Sequence, residues 1–169
     1  MENKKISILL PSRGRTDVLK ASIMSLLDTV KDPNCLELLF GLDEDDNKVI
    51  DYIKDELAPI LQEKGVESRA NIFKPLGYEN LHNYVNTLAQ SATGDWLFFW
   101  NDDCLMTTPD WDEVINSYTG QFKLLAPKDN HEGHPYAILP IVPKDWFILM
   151  GHLSQNAQND AWLSHIAYM

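Results

Sequence analysis

Gly94-Asp95-Trp96-Leu97-Phe98-Phe99-Trp100-Asn101-Asp102-Asp103-Cys104 sets five consecutive apolar residues between a glycine turn and two adjacent carboxylates. An unbroken apolar run of this length suits a strand covered on both faces, the situation of a central strand in a parallel sheet. In open α/β sheets, ligands gather beyond the carboxyl ends of such strands. Asp102 and Asp103 therefore stand where a divalent cation or a ribose could be held. Two neighbouring acids repel, and burial raises that cost, so the pair calls for a positive partner. The same Asn-Asp-Asp is also ordinary composition for a solvated turn after a strand.

Outward from this run the pattern repeats. Residues 5–10 form an apolar strand closed by the loop Pro11-Ser12-Arg13-Gly14-Arg15. A helix follows, capped by Thr16 or Asp17, with Leu19, Ile23, Leu26, Leu27 and Val30 on one face. Residues 36–42 are a second strand, ending in Asp43-Glu44-Asp45-Asp46-Asn47. From Val49 a second helix carries Ile50, Ile53, Leu57, Ile60 and Leu61; Pro59 should kink or split it, and Gly65 ends it. A third strand at 71–74 leads into Pro75-Leu76-Gly77, and Leu81, Val85, Leu88, Ala89 and Ala92 mark a third helix. Alternating strands and helices predict an α/β fold, Rossmann-like, with a mostly parallel central sheet, right-handed crossovers and helices on both faces.

Beyond the acidic rim the pattern loosens. Thr108 and Pro109 read as the cap and first position of a helix with Trp111, Val114, Ile115 and Tyr118 facing inward. Residues 122–126 and 137–142 read as strands, separated by the polar loop 128–134. Pro143 opens a short helix ending at Gly151, and a last helix runs from about 159 to 169. With no repeat, low-complexity tract or linker, one domain over 1–169 is the simplest count.

Charge narrows the partners. Lys and Arg total 14 against 25 Asp and Glu, a formal charge of −11, which argues against a nucleic-acid backbone or an anionic membrane. Any phosphate must be met locally, and of the three arginines, Arg13, Arg15 and Arg69, two share the first loop. Cys35 and Cys104 lack metal-site spacing and are too few for a disulfide framework, which fits a reducing, cytoplasmic setting. No apolar signal core follows the polar first residues, and no run approaches about 18 apolar residues, so neither secretion nor a transmembrane segment is indicated.

Four polar clusters fall just after strands: the Arg13 loop, the run Asp43 to Asp46, the Gly77 turn and the rim Asn101 to Asp103. In a parallel sheet these share one edge, and that convergence is more specific than any single cluster. The first loop has neither a Walker motif nor Gly-x-Gly-x-x-Gly, which withdraws support from kinase-type and nicotinamide chemistry. It also reads as an exposed turn with two solvated arginines, and Asp43 to Asp46 as an acidic helix start. Asp160, at the start of the last helix, is either a cap or a general base. His131, His134, His152 and His165 are candidate metal ligands that pack or solvate equally well. Trp100 and Trp162 could stack on a sugar or base, or fill the core.

Taken together, Pro-Ser-Arg-Gly-Arg after the first strand, Gly-Leu-Asp-Glu-Asp-Asp after the second, Asn86 upstream of Ala92-Thr93-Gly94-Asp95-Trp96, and the Asn101-Asp102-Asp103 rim resemble glycosyltransferase family 2, with its GT-A fold. The similarity covers nearly the whole chain. It implies a nucleotide-diphosphate-sugar donor, UDP- or GDP-linked, and a glycan or other hydroxyl acceptor. Residues 1–104 would be the nucleotide-binding part and 105–169 the acceptor and base part. Carried across, Pro11, Ser12 and Arg13 line the nucleotide pocket, leaving Arg15 nearer the helix start. Asp43 and Asp45 meet the base or ribose, with Gly77, Asn86, Asn101 and Asp102 in the same nucleotide site. Asp102 and Asp103 serve ribose and metal, Mn²⁺ or Mg²⁺, and Asp160 matches the catalytic base of inverting members.

Two departures qualify the match. Asn101 stands at the first position of the Asp-x-Asp element and brings no charge, which shifts a metal site onto Asp102 and Asp103. The chain also ends at Met169, soon after the base helix, where many members continue. A compact enzyme, a truncated one, a homo-oligomer and a subunit needing a partner all fit. The leading expectation is an inverting, metal-dependent transferase. Its rivals are a catalytically silent sugar-nucleotide or glycan-binding domain of the same descent and a nucleotidyltransferase, the latter disfavoured by the single glycine of the first loop.

Overall fold

The computed structural model describes residues 4–130, 133 and 135–169. β1 (Ile6–Pro11) leads to α1 (Thr16–Thr29), and β2 (Leu36–Asp43) to α2 (Asn47–Tyr52). A π-helical turn at Ile53–Leu57 joins α2 to α3 (Ala58–Glu63). There follow β3 (Glu67–Phe73), α4 (Leu81–Ser91), β4 (Trp96–Phe99), α5 (Trp111–Asn116), β5 (Ile141–Pro143), α6 (Lys144–Met150) and α7 (Asn159–Ala167).

The sheet runs β3-β2-β1-β4-β5. β1 pairs in parallel with β2 and β4, β2 pairs in parallel with β3, and β5 lies antiparallel against β4. The winding steps from β1 toward β3, then returns to the other side of β1 with β4. That reversal opens a crevice at the carboxyl ends of β1 and β4.

Alternation along the strands builds a core on each face. Ile8, Leu10, Leu38, Phe40 and Phe98 pack with Leu19, Ile23 and Leu26 of α1, with Ile53, Leu57 and Leu61, and with Trp111 and Ile115 of α5. Leu9, Leu39, Leu97 and Phe99 face the other way, against Val85 and Leu88 of α4, Trp146 of α6 and Leu163 of α7. The result is an α/β architecture with helices on both faces of a mostly parallel sheet. Gly94 is required by the entry to β4, because a Cβ there would lie 2.8 Å from the Lys5 carbonyl oxygen and 2.6 Å from Ser7 Oγ.

At Pro59 the outcome is the expected split and not a stop: a π-helical turn at Ile53–Leu57 separates α2 from α3, with Ala58 N–H reaching back to Ile53 O, and the helical run continues through Pro59. Several elements differ from the sequence reading. β3 begins at Glu67, four residues ahead of the expected start, because it is an edge strand with alternating exposed polar residues and no apolar run. The strand expected at 122–126 is reduced to a single bridge between Leu125 and Ile141, and only Ile141–Pro143 of the next expected strand and its flank is paired as a strand. α5 starts at Trp111, after a left-handed Asp110 (φ 54°), not at Pro109. Neither Thr16 nor Asp17 caps α1; Arg15 takes the cap position. Among the described residues, no helix is long and apolar enough to cross a membrane.

Candidate active site

The loops after β1, β2 and β4 meet at the crevice and enclose a cavity of about 490 Å³, a size ordinary for small-molecule sites. Pro11, Ser12, Arg13, Asp43, Gly77, Asn101, Asp102, Asp103 and Asp160 all line it. So do Arg15, Tyr78, Tyr84 and Asn159, which sequence reasoning did not place there.

Two arginine forks organise the polar wall. Arg13 Nη1 donates to Asp43 Oδ2 and to Asp45 Oδ1, each at 2.5 Å, and Nη2 donates to Asp45 Oδ2 at 3.0 Å. The hydrogen bonds to Asp45 and then Asp43 raise the Arg13 guanidinium above its ordinary pKa. In return, the bond from Arg13 holds the Asp45 carboxyl below the usual carboxylate range. Gly14 N–H donates to Asp46 Oδ2 at 2.6 Å, so the acidic run after β2 fastens the loop after β1. Asp46 also caps α2 through Val49 N–H. The acidic helix start and the loop clamp are thus one feature.

Arg15 makes the second fork. Nη2 donates to Asp102 Oδ1, and Nη1 donates to Asp103 Oδ2 at 3.0 Å. The charge of Asp102 is the leading cause that raises the Arg15 guanidinium. Ser12 Oγ donates to the second oxygen of Asp102 at 2.7 Å. The Asp102 side chain is 5% exposed and that of Asp103 50%, so the rim offers one enclosed and one open carboxylate. The positive partner that two adjacent acids require is therefore Arg15. Expected to stand back at the helix start, Arg15 instead reaches across from the cap position of α1.

Tyr84 on α4 donates to Asp43 and accepts from Leu76 N–H at 3.0 Å. Burial, then the bond to Asp43, pushes its phenol up, keeping it a donor. The Gly77 turn that follows Leu76 holds φ 75° and ψ 167°, a conformation open to glycine alone. Leu81 and Tyr84 are three positions apart on one helix face, so the apolar stripe that identified α4 also carried the signal for Tyr84.

Asp160 lies in the first turn of α7, with Gln158 at the cap position, so capping does not explain it. Among the described residues its carboxylate takes no hydrogen bond and no ion pair. Asn159 beside it is buried; its Nδ2 donates to Ala157 O at 3.3 Å.

Asn86 is put to a different use from the one its resemblance implied. Its Oδ1 accepts from Leu153 N–H at 2.7 Å and Ser154 N–H at 3.2 Å, and its Nδ2 donates to Ser154 O at 2.7 Å. The amide is spent pinning the segment before α7 onto α4, and it does not line the cavity. Trp100 is core, its Nε1 donating to Ser22 Oγ at 2.8 Å. His152 packs edge-on to Trp162, and His165 edge-on to Tyr136. His131 and His134 lie outside the described residues. Among the described residues, no three His, Cys, Asp or Glu side chains gather as a metal cage.

No family model matches the chain, and no curated protein matches its sequence. Solved structures do match in shape. The mannosyltransferase PcManGT from Pyrobaculum calidifontis, in complex with GDP-Man and Mn²⁺, aligns over 91% of this chain and 48% of its own, with a TM-score of 0.71 at 10% identity. S. aureus TarS 1-349 in complex with UDP aligns over 97% and 55%, with a TM-score of 0.73 at 11% identity. The same TarS segment with UDP-GlcNAc gives 97% and 53%, a TM-score of 0.73 and 11% identity. At such identities the likeness is one of fold, and the chain spans about half the length of these neighbours. The fold is that of GT-A-like nucleotide-sugar transferases.

Proposed function

We propose that this chain is a glycosyltransferase of the family 2 type, moving a sugar from a UDP- or GDP-linked donor to a hydroxyl acceptor with inversion. The observation that carries the reading is Asp160, a carboxylate without a partner among the described residues, on the wall of the same cavity as Asp43, Asp102 and Asp103. Three of these acids are engaged by the chain itself, and the fourth is left available for a proton.

In this reading Asp43 and Tyr84 form the end of the cavity that takes the base and ribose, and Arg13 ties Asp43 to Asp45, which stands outside the cavity lining. Asp102 and Asp103 present hard oxygen donors, the type that Mn²⁺ and Mg²⁺ use, and such ions commonly take one or two carboxylates and complete their shell with phosphates and water. The pair therefore fits a divalent cation. Such a cation, when bound, neutralises charge on the departing diphosphate. Asp160 accepts the proton of the acceptor hydroxyl as its oxygen bonds to the anomeric carbon and the bond from that carbon to the diphosphate oxygen breaks. The proton ends on Asp160, and the bonding pair leaves with the diphosphate. Leu81, Phe99 and Ile138 give the cavity an apolar wall.

A second reading, a silent sugar-nucleotide-binding domain, draws support from Asn101, which brings no charge to the rim. The two separate experimentally. A thermal-shift panel of nucleoside diphosphates with and without Mn²⁺ should show UDP or GDP raising Tm, more so with the metal. Nucleotide release from the matching sugar donor upon adding hydroxyl acceptors then distinguishes enzyme from binder. No shift with any nucleoside diphosphate would sink both.

A further inference from the structure

Arg15 occupies the atoms a cation would need. Three of the four carboxylate oxygens of Asp102 and Asp103 accept a hydrogen from the chain: Asp102 Oδ1 and Asp103 Oδ2 from Arg15, and Asp102 Oδ2 from Ser12. A guanidinium and a divalent cation cannot share the same lone pairs, and at such a separation they repel strongly. Yet the Arg15 side chain is 51% exposed and projects from a loop, so it is free to leave. The enclosed partner, Asp102, is not: it cannot lose Arg15 without receiving another positive charge.

We propose that Arg15 is an exchangeable counter-ion of this site: a divalent cation takes Asp102 and Asp103 from it when a diphosphate is present to receive the displaced guanidinium. This rests on the donor reading above. Charge counting gives the logic. With Arg15 across two carboxylates the rim carries about one net negative charge. A cation arriving alone must expel a guanidinium that then faces it unpaired. A diphosphate arriving alone meets a negative rim and draws Arg15 off only by stranding Asp102. Arriving together, each charge finds a partner, because an arginine fork suits phosphate as well as carboxylate. Arg13 is not equivalent. Its fork holds Asp43 and Asp45 and leaves the rim acids untouched. Cation and nucleotide should thus bind with strong positive coupling, of which Arg15 carries a share.

Isothermal titrations of Mn²⁺ alone, of UDP and GDP alone, and of each nucleotide with Mn²⁺ test this on the full chain, with Asp103→Ala as the blank for adventitious cation binding. Arg15→Gln should bind Mn²⁺ alone about tenfold more tightly than the parent, and nucleotide with Mn²⁺ about tenfold more weakly. Nucleotide alone should change by less than about threefold, since Arg15 reaches the diphosphate only after being displaced. Arg15→Lys, which keeps the charge but loses the fork, should fall between. Arg13→Gln removes the same charge from the same loop and should leave Mn²⁺ affinity within about threefold of the parent. Equal gains for Arg13→Gln and Arg15→Gln would overturn the exchange in favour of a general field effect. A parent that binds nucleotide with Mn²⁺, alongside an Arg15→Gln variant with no gain in Mn²⁺ affinity, would overturn the exchange alone. A parent that binds neither UDP nor GDP with Mn²⁺ would overturn the donor reading beneath it.

Discussion

Ser12 Oγ donates to Asp102 Oδ2 at 2.7 Å, joining the residue after β1 to the turn after β4 across 90 positions of sequence. Both residues are buried. Ser12→Ala should lower stability by about 1 kcal/mol, the usual net value of such a bond, and Tm by a few degrees. A thermal melt of the variant matching that of the parent would mean that the hydroxyl does not hold Asp102.

The neighbouring acid should behave in the opposite way. Asp103 is half exposed and bonded to Arg15 alone among the described residues, so Asp103→Ala should change stability by no more than about 0.5 kcal/mol. Mn²⁺-dependent binding of UDP or GDP should nevertheless weaken by about tenfold or more, since one of two proposed cation ligands is gone. Unchanged affinity with metal present would remove Asp103 from the site.

How much of this was legible in the sequence follows from where each feature's determinants lie. β1, β2 and β4 are buried on both faces, so each wrote itself as an apolar run that locates its own end, and hence the acids at that end. β3 is an edge strand; its Glu67-Ser68-Arg69 opening carries no such run. Leu124 and Leu125 looked like strand residues because they are apolar; Leu125 makes a single bridge to Ile141, and otherwise both pack partly buried against the two cores. Within the site, position at a strand end is a local property and could be read. Pairing is not: that Arg13 goes to Asp43 and Asp45 while Arg15 goes to Asp102 and Asp103 depends on how loops some 30 and 88 residues apart meet in space. Asn86 was assigned by analogy, and its amide is consumed by residues 153 and 154, contacts no local pattern encodes.

At the opposite edge of the sheet, Glu37 is 0% exposed and accepts from Ser7 Oγ at 2.6 Å, Thr93 N–H and Thr93 Oγ1, each at 2.9 Å, and Arg69. Burial alone would push its carboxyl up; the bonds from Ser7, Thr93 and Arg69 outweigh that and hold it below the ordinary value. A carboxyl lowered in the folded state stabilises the fold above its unfolded pKa of about 4.3, and that contribution is lost as pH falls through the folded pKa. Stability should therefore decline below about pH 4. Glu37→Gln should cost about 1–3 kcal/mol at pH 7, discounted because Arg69 is half solvated, and should flatten this acid limb. Urea melts from pH 3 to 7 compare the two; parallel profiles would clear Glu37 of the acid dependence.

Asp160→Asn probes the chemistry most directly. The carboxylate is in the first turn of α7 but not at its cap, and among the described residues nothing bonds to it, so the substitution should leave Tm nearly unchanged. Donor binding should survive, because Asp43, Asp45, Asp102 and Asp103 are intact. Asparagine has nearly the shape of aspartate but cannot take a proton at neutral pH, so transfer should fall by roughly two or more orders of magnitude, the scale for losing a general base. Measured with the donor that gives the largest thermal shift, parental turnover in Asp160→Asn would place the base elsewhere or make the reaction retaining. A large drop in Tm would instead assign the carboxylate a structural role, with a partner it acquires in solution.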